Sequence, residues 1–147
     1  MSSIDSRVLF LCTGNYYRSR FAEYLFNHLA ATRELPWCAF SRGLAIELVD
    51  EDAGPISPFT LEGLARWGIT TESGIRAPIQ ASPKDFVEAD LVVALKQAEH
   101  LPLIRRRYPG WEDRVEFWHV DDIDVANPRD ALPVLESLIH GLLDRLA

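Results

Sequence analysis

The sequence predicts an α/β fold, a three-layer sandwich with a four-stranded parallel sheet between two layers of helices. Short apolar runs, of the kind found in strands buried on both faces, alternate with longer segments whose apolar residues recur at helical spacing. Because the connection between parallel strands is almost always right-handed, this alternation puts helices on both faces of the sheet. At 147 residues, the chain is predicted to form a single domain over residues 1–147.

The first half of the chain begins with a strand. Residues 8–11 form a short aliphatic run, and apolar residues at helical spacing follow from 19 to 31. A second short strand is predicted at 37–40. The next helix begins after Ser57, which can cap it, carries a proline in its first turn and ends at Gly68.

The second half continues the alternation. Its clearest strand is "LVVAL" at 91–95, followed by a polar helix at 97–107 that stops before Pro109. A fourth strand is predicted at 115–120, and the last helix at 131–146, where leucine and isoleucine form one apolar stripe. Ligands of such sheets bind outside the carboxyl ends of the strands, so residues that directly follow strands are candidates for a site.

Composition and charge narrow the function. The net charge of −7 disfavours nucleic acid and anionic membrane surfaces as partners, because the field of the protein would repel a polyanion. No stretch approaches the ~20 apolar residues of a membrane span, and the N-terminus lacks the basic start and apolar core of a signal peptide. Two cysteines without a C-x-x-C pair predict neither a disulfide framework nor a metal site, and they favour the cytoplasm. No cofactor is predicted, and the sequence leaves the oligomeric state open.

One segment carries the chemistry, "VLFLCTGNYYRSRFAE". An apolar strand stops at Cys12, Arg18 follows six positions later, and Ser19 begins a helix. A cysteine at this place faces the helix N-terminus, whose free N–H groups and dipole, together with the guanidinium, favour the thiolate. The same loop can hold the oxygens of a phosphate, two of them bound by Arg18. Gly14 and Asn15 tolerate the left-handed backbone that points successive N–H groups inward.

This segment resembles the phosphate-binding loop of the low-molecular-weight protein tyrosine phosphatases, in which the loop also follows the first strand and "RS" begins the first helix. The resemblance extends more loosely over nearly the whole chain, through "FSRG" after the second strand and "ASPKDFVEADLVVAL" leading into the third. Members of the family have a four-stranded parallel sheet and hydrolyse phosphomonoesters without a metal. The resemblance therefore implies a metal-independent hydrolase that acts on phosphotyrosine proteins or small aryl phosphates.

The resemblance also assigns roles, position by position. Cys12 is the nucleophile that forms a phosphocysteine, Arg18 binds phosphate and stabilises the transition state, and Ser19 activates and later releases the thiolate. Asn15 keeps the loop in shape. The phosphate-binding residues are Thr13, Gly14, Asn15, Tyr16, Tyr17, Arg18 and Ser19.

Three departures from the family pattern carry information. Tyr17 stands where many members have a second cysteine, so a reversible disulfide inside the loop is excluded. A histidine that supports the loop asparagine is replaced by Ser73, and hydrogen bonds from Ser41 and Ser73 are expected around Asn15. The tyrosines that line the pocket mouth in the family are absent from the acid loop. The aromatic residues that can replace them, or else belong to the core, are Tyr16, Tyr17, Trp118 and His119.

The proton donor for the leaving group is predicted in the loop after the fourth strand. The family has an Asp-Pro pair there, whereas this sequence reads "FWHVDDIDVANPRD". Aligning the last helix without gaps puts Asp122 at the acid position and Ile123 in place of the proline. Asp121 and Asp124 are alternatives, and a solvated acidic turn without a catalytic role is the plainer interpretation.

Two other functions fit the same loop. A catalytically weak phosphate-binding or phosphoprotein-binding module would keep the loop and lack the acid, and the missing Asp-Pro pair favours it. Arsenate reduction uses a similar loop but needs further cysteines to resolve the adduct, and Cys38 is the sole candidate. Turnover that depends on one acid-loop carboxylate separates the phosphatase from the binding module.

Overall fold

A four-stranded parallel sheet forms the centre of the protein. The computed structural model describes residues 6–71 and 75–147, and its strands are β1 (Ser6–Cys12), β2 (Trp37–Gly43), β3 (Leu91–Ala94) and β4 (Val115–Phe117). They lie in the order β2-β1-β3-β4, with β1 paired to both β2 and β3. The predicted four-stranded parallel sheet is confirmed.

Helices cover both faces of this sheet. They are α1 (Arg18–Thr32), α2 (Pro58–Ala65), α3 (Pro83–Glu88), α4 (Gln97–Arg107) and α5 (Pro128–Leu146). Successive residues of a strand point to opposite faces, so Val8 and Phe10 pack with α1 and α5, whereas Leu9 and Leu11 pack with α3 and α4. Within the described residues, no helix combines the length and the apolar character needed to cross a bilayer.

Several elements differ from the sequence-based prediction. β1 begins at Ser6 rather than at residue 8, β2 continues to Gly43 rather than ending at residue 40, and α2 ends at Ala65 rather than at Gly68. α5 begins at Pro128 rather than at residue 131, because the side chain of Asn127 caps the helix and proline suits its first turn. β4 ends at Phe117 rather than at residue 120, and the following segment continues in an isolated antiparallel bridge between Lys96 and His119. α3 lies outside the predicted elements. It is a single short helix that Ser82 starts with a capping box.

The carboxyl ends of β1, β3 and β4 meet at one edge of the sheet. The strand order reverses between β1 and β3, which is the point where ligands bind in open α/β sheets. Cys12 ends β1, α4 begins just beyond β3, and the segment 121–124 follows β4. The fold therefore brings the predicted nucleophile and the acid loop to the same edge.

Candidate active site

The loop between β1 and α1 turns its carbonyl groups away from its own centre. Five loop carbonyl oxygens each accept a hydrogen bond from the surrounding chain, at 2.9 to 3.3 Å. Within the described ranges, none of the backbone N–H groups of residues 13–19 donates a hydrogen bond to the protein. Free N–H groups arranged in this way are suited to binding an anion, and we call this part of the loop the anion cradle. The carbonyl acceptors and their donor residues are Cys12 with Leu44, Thr13 with Ala45, Asn15 with Arg20, Tyr16 with Ser57, and Tyr17 with Thr60.

Asn15 fixes the shape of this loop. It is fully buried and has a left-handed backbone, with φ of +51°. Its Nδ2 donates to Ser19 Oγ at 2.8 Å and to Ser41 Oγ at 2.9 Å. Its Oδ1 accepts from Arg76 Nη1 at 2.8 Å and from the N–H of Ile79 at 3.1 Å. The side-chain amide of Asn15 therefore uses both donor protons and both acceptor positions.

Arg76 is a supporting residue that the sequence did not single out. Its guanidinium also donates to Ser41 Oγ and to Glu23 Oε1, both at 3.1 Å. Ser41 Oγ accepts a hydrogen bond from Asn15, whereas Ser73 lies outside the described residues. The only sequence signal for Arg76 is its place near Ser73, because its partner Asn15 lies 61 positions away.

The sulfur of Cys12 ends a chain of hydrogen bonds. Its Sγ lies 2.9 Å from Ser19 Oγ, and the residue is 2% exposed and lines a cavity above the loop. Because Asn15 already donates to Ser19 Oγ, the hydroxyl proton of Ser19 is free to point at the sulfur. The donors therefore run from Arg76 through Asn15 and Ser19 to Cys12, so the sulfur is the last acceptor of this chain.

Arg18 is held by three hydrogen bonds. The residue is 2% exposed, its Nη2 lies 2.6 Å from Glu99 Oε2, and its Nη1 donates to Glu99 Oε1 at 3.2 Å and to the Val120 carbonyl at 3.0 Å. Nη2 also lies 3.4 Å from Asp122 Oδ2. All these contacts use the terminal nitrogens, and Nε has no hydrogen-bond partner among the described residues. The Nε edge therefore stays available for a bound oxyanion.

Glu99, in the first turn of α4, belongs to a polar network behind Arg18. Its carboxylate accepts hydrogen bonds from Thr13 Oγ1 and, at 3.1 Å, from His100 Nε2. His100 Nδ1 accepts from the N–H of Lys96 at 3.0 Å, which assigns the imidazole proton to Nε2. Burial alone would raise the pKa of Glu99, but the hydrogen bonds from His100 and Arg18 hold that pKa far below its usual range. Burial lowers the pKa of His100, so this imidazole is neutral at pH 7.

The three aspartates of the acid loop have different surroundings. Asp121 forms an ion pair with Lys96 Nζ at 2.6 Å and does not line the cavity above Cys12. Asp122 and Asp124 both line that cavity. Of the three, Asp122 alone contacts Arg18 among the described residues.

The cavity above the loop has a volume of about 480 Å³. Apolar side chains form much of its mouth, and several are unusually exposed: Leu48 at 71%, Phe59 at 42% and Ile123 at 47%. The mouth is therefore an apolar surface around a polar floor.

Two of the four aromatic candidates line this cavity, and two do not. Tyr16 and Tyr17 line it, and the Tyr17 hydroxyl is buried without a hydrogen-bond partner in the described part of the chain. Burial and the charge of Asp122 raise the pKa of Tyr17 to about 12. Trp118 is 7% exposed and packs against Phe10 in the core, while the His119 side chain is 78% exposed on the outside. Of the two alternatives, the core therefore holds for Trp118, and neither Trp118 nor His119 contributes to the cavity wall.

Cys38 lies far from Cys12. In the sheet Cys38 pairs with Arg7, whereas Cys12 pairs with Gly43, five positions further along β2. At about 3.3 Å per residue, this offset separates the two cysteines by roughly 16 Å. Disulfide formation needs Cα atoms about 6 Å apart, so Cys38 cannot resolve an adduct on Cys12 in this fold.

A strand-to-helix loop with free N–H groups around a cysteine and an arginine, and with a carboxylate beside them, is an arrangement suited to phosphate chemistry. The family model of the low molecular weight phosphotyrosine protein phosphatases matches residues 7–131, and the chain belongs to that family. The resemblance seen in the loop is confirmed. Members of this family are hydrolases that act without a metal ion.

Solved structures with the same fold support this assignment. A low molecular weight protein tyrosine phosphatase from T. tengcongensis is 29% identical, with a TM-score of 0.78, and the alignment covers 97% of this chain and 100% of that one. YfkJ from Bacillus subtilis is 26% identical with a TM-score of 0.79, covering 95% and 93% of the two chains. The YwlE arginine phosphatase, also from Bacillus subtilis, is 23% identical with a TM-score of 0.75 and 95% coverage of both chains, a likeness that shows the fold alone. Among curated protein sequences, none matches this chain significantly.

Proposed function

We propose that the protein hydrolyses phosphotyrosine in proteins, or small aryl phosphates, through a phosphocysteine on Cys12. The observation that carries the proposal is the polarity of the loop, because free N–H groups and the Nε edge of Arg18 surround a sulfur that accepts from Ser19. The free thiols of Cys12 and Cys38 suit a reducing compartment, so we propose a cytoplasmic location.

The first step transfers the phosphoryl group to sulfur. The thiolate of Cys12 attacks phosphorus, the bond from phosphorus to the leaving oxygen breaks, and that oxygen takes a proton from Asp122. The loop N–H groups and Arg18 bind the three equatorial oxygens, where charge is spread in the transition state.

The second step returns the enzyme to its starting state. Water attacks the phosphocysteine, its proton passes to Asp122, and the sulfur leaves as a thiolate that Ser19 stabilises. Asp122 is preferred over its neighbours because it lines the cavity beside Arg18, whereas Asp121 is bound to Lys96.

A second substrate class, N-phosphoarginine in proteins, is favoured by the charges of the cavity. Four of its lining residues are acidic, and Arg18 is the only lysine or arginine among them. A guanidinium next to the phosphoryl group would meet this negative field, whereas a tyrosine ring is neutral. YwlE, which has the same fold, is an arginine phosphatase, and this makes N-phosphoarginine a substrate worth testing. The acidic lining residues are Asp50, Glu99, Asp122 and Asp124.

The experiment is steady-state hydrolysis at several pH values, in EDTA and a reductant, for wild type and three variants. The variants are Asp121→Asn, Asp122→Asn and Asp124→Asn, and the substrates are p-nitrophenyl phosphate, a phosphotyrosyl peptide and a phosphoarginyl peptide. The phosphotyrosyl peptide has the poorer leaving group of the two aryl esters, so it exposes the need for an acid. We expect Asp122→Asn to lower kcat for this peptide about a hundredfold and to remove the basic limb of the pH profile.

The two neighbouring variants serve as matched controls. Asp121→Asn and Asp124→Asn remove the same charge from the same loop and should keep at least a third of the activity. If Asp124→Asn loses the activity instead, the acid is Asp124. If wild type hydrolyses none of the three substrates but binds phosphate, the protein is a phosphate-binding module, and the proposed function is wrong.

A further inference from the structure

A second concavity of about 370 Å³ adjoins the cavity that contains Cys12. It lies between α2 and the start of α5, and we call it the side groove. Phe59 and Ile123 line both concavities, so their exposed side chains form the ridge between them. When a phosphorylated side chain of a polypeptide reaches Cys12, the neighbouring residues of that polypeptide lie at the mouth, beside this ridge.

The side groove differs in charge from the cavity beside it. It is lined by Arg66, Arg129 and Glu62, so it carries an excess of positive charge in a protein with a net charge of −7. Glu62 lies 3.5 Å from Arg66, but both side chains are 67% exposed, so this pair is weak and leaves the guanidinium free to bind elsewhere. Arg129 is exposed and forms no ion pair within the described ranges.

The other part of the cavity border has the opposite charge. Asp50 lines the cavity but not the side groove, and it is followed by the exposed Glu51 and Asp52. None of these three carboxylates forms an ion pair with a described residue. Of the described residues that line the cavity and the side groove, the positively charged ones other than the buried Arg18 all lie in the side groove.

We propose that the side groove binds an acidic side chain of the substrate polypeptide, close in sequence to the phosphorylated residue. The inference rests on the proposed function, because it takes the cavity above Cys12 as the place of the phosphoryl group. Exposed arginines add small contributions, of the size measured for surface ion pairs, so they select among substrates and do not supply the main affinity. The apolar ridge of Phe59 and Ile123 would pack against the chain between the two binding points.

The test compares phosphotyrosyl peptides that are identical except for one residue near the phosphotyrosine, which is Asp, Ala or Lys. This residue is moved through the three positions on each side. At low salt we expect one or two positions at which kcat/KM for the Asp peptide exceeds that for the Lys peptide about three- to tenfold. This preference should shrink at high salt, because exposed charges are screened. The small substrate p-nitrophenyl phosphate does not reach the side groove and measures the chemical site alone.

Arg66→Glu and Arg129→Glu test the two guanidiniums separately. Each should abolish or invert the preference for Asp at the same peptide position and leave kcat/KM for p-nitrophenyl phosphate within about twofold. The matched control is Arg7→Glu, which changes the net charge of the protein by the same amount as each groove variant. Arg7 lies at the amino end of β1, whereas the site lies at the carboxyl ends of the strands. This control should keep the preference for Asp. A preference that is absent in wild type, or unchanged in both groove variants, overturns the proposal.

A binding measurement decides the question independently of turnover. Peptides that carry a phosphonate analogue of phosphotyrosine are not hydrolysed, and their Kd for wild type and variants can be followed by fluorescence anisotropy. Tighter binding of the Asp peptide to wild type, reversed in the groove variants, supports the side groove even if p-nitrophenyl phosphate is not turned over. Equal Kd values for the Asp and Lys peptides overturn it, whereas failure of the proposed function would appear only as absent turnover.

Discussion

Replacing Arg76 by methionine tests whether the loop is held through Asn15. The change removes the hydrogen bond from Nη1 to Asn15 Oδ1 at 2.8 Å and the ion pair with Glu23 at 3.1 Å, while methionine keeps a similar aliphatic volume. Arg76 is 28% exposed at its side chain and Asn15 is fully buried, so water does not fully replace the lost donor.

The size of the effect follows from the bond that is lost. A hydrogen bond to a charged group contributes about 1.5 to 3 kcal/mol. If the whole of this free energy is lost from the stabilisation of the transition state, kcat/KM falls roughly tenfold to a hundredfold. Asn15 keeps its second donor, the N–H of Ile79 at 3.1 Å, so the lower end of this range is expected. The contacts of Arg76 with Glu23 and Ser41 are lost too, so the free energy of unfolding should also fall, by about 1 to 3 kcal/mol.

The assay is hydrolysis of p-nitrophenyl phosphate, with inhibition by inorganic phosphate as a measure of the anion cradle. The matched control is Arg42→Met, which removes another partly buried arginine paired with a carboxylate, Asp85 at 3.2 Å, but makes no contact with Asn15. Arg42→Met should lose stability with kcat/KM nearly unchanged, and Arg76→Lys should recover part of the loss. If Arg76→Met loses only stability, like the control, the chain of donors from Arg76 to Cys12 is not needed for catalysis.

Three further predictions concern the groups around the loop. Glu99→Gln keeps the shape of the side chain but weakens the fork on Arg18, so kcat/KM should fall roughly tenfold, and an unchanged value would contradict a positioning role. Tyr17→Phe removes a buried hydroxyl without a partner among the described residues, so Tm should stay equal or rise with little change in kcat/KM; a clear drop in Tm would reveal a bond that the structure lacks. Because burial lowers the pKa of His100 below 6.5, its neutral form stabilises the fold at neutral pH, and this contribution is lost as the pH falls below 6.5. Urea unfolding of His100→Gln should therefore depend less on pH in that window than that of wild type, and equal slopes would refute the assignment.

The sequence predicted the parts of the site that lie close together along the chain. The cradle comes from eight consecutive residues, 12–19, whose order alone dictates a strand end, a turn and a helix start. The helix at 97–107 was predicted with the observed bounds, because it starts after a buried strand and stops before a proline. Patterns of local spacing suffice for such elements.

Residues that contact the loop from far away in sequence could not be predicted in this way. Arg76 lies 61 positions from Asn15, and Glu99 lies 81 positions from Arg18. Only the packing of α4 and of the segment before α3 against the sheet edge brings these partners to the loop.

The two aromatic residues after β4 show a different limit. Successive side chains of an extended segment point to opposite sides, so Trp118 is buried against Phe10 whereas His119 is exposed. Neither side chain faces the cavity above Cys12.

The central claim is that Cys12 carries the phosphoryl group during turnover, and rapid quenching followed by mass spectrometry tests it most directly. Wild type and Asp122→Asn are mixed with p-nitrophenyl phosphate, quenched within the first turnover and digested. The account predicts one phosphoryl group on the peptide that contains Cys12, and none on that peptide in a Cys12→Ala variant. Turnover without a phosphorylated Cys12 peptide, or substantial hydrolysis by the Cys12→Ala variant, would contradict it.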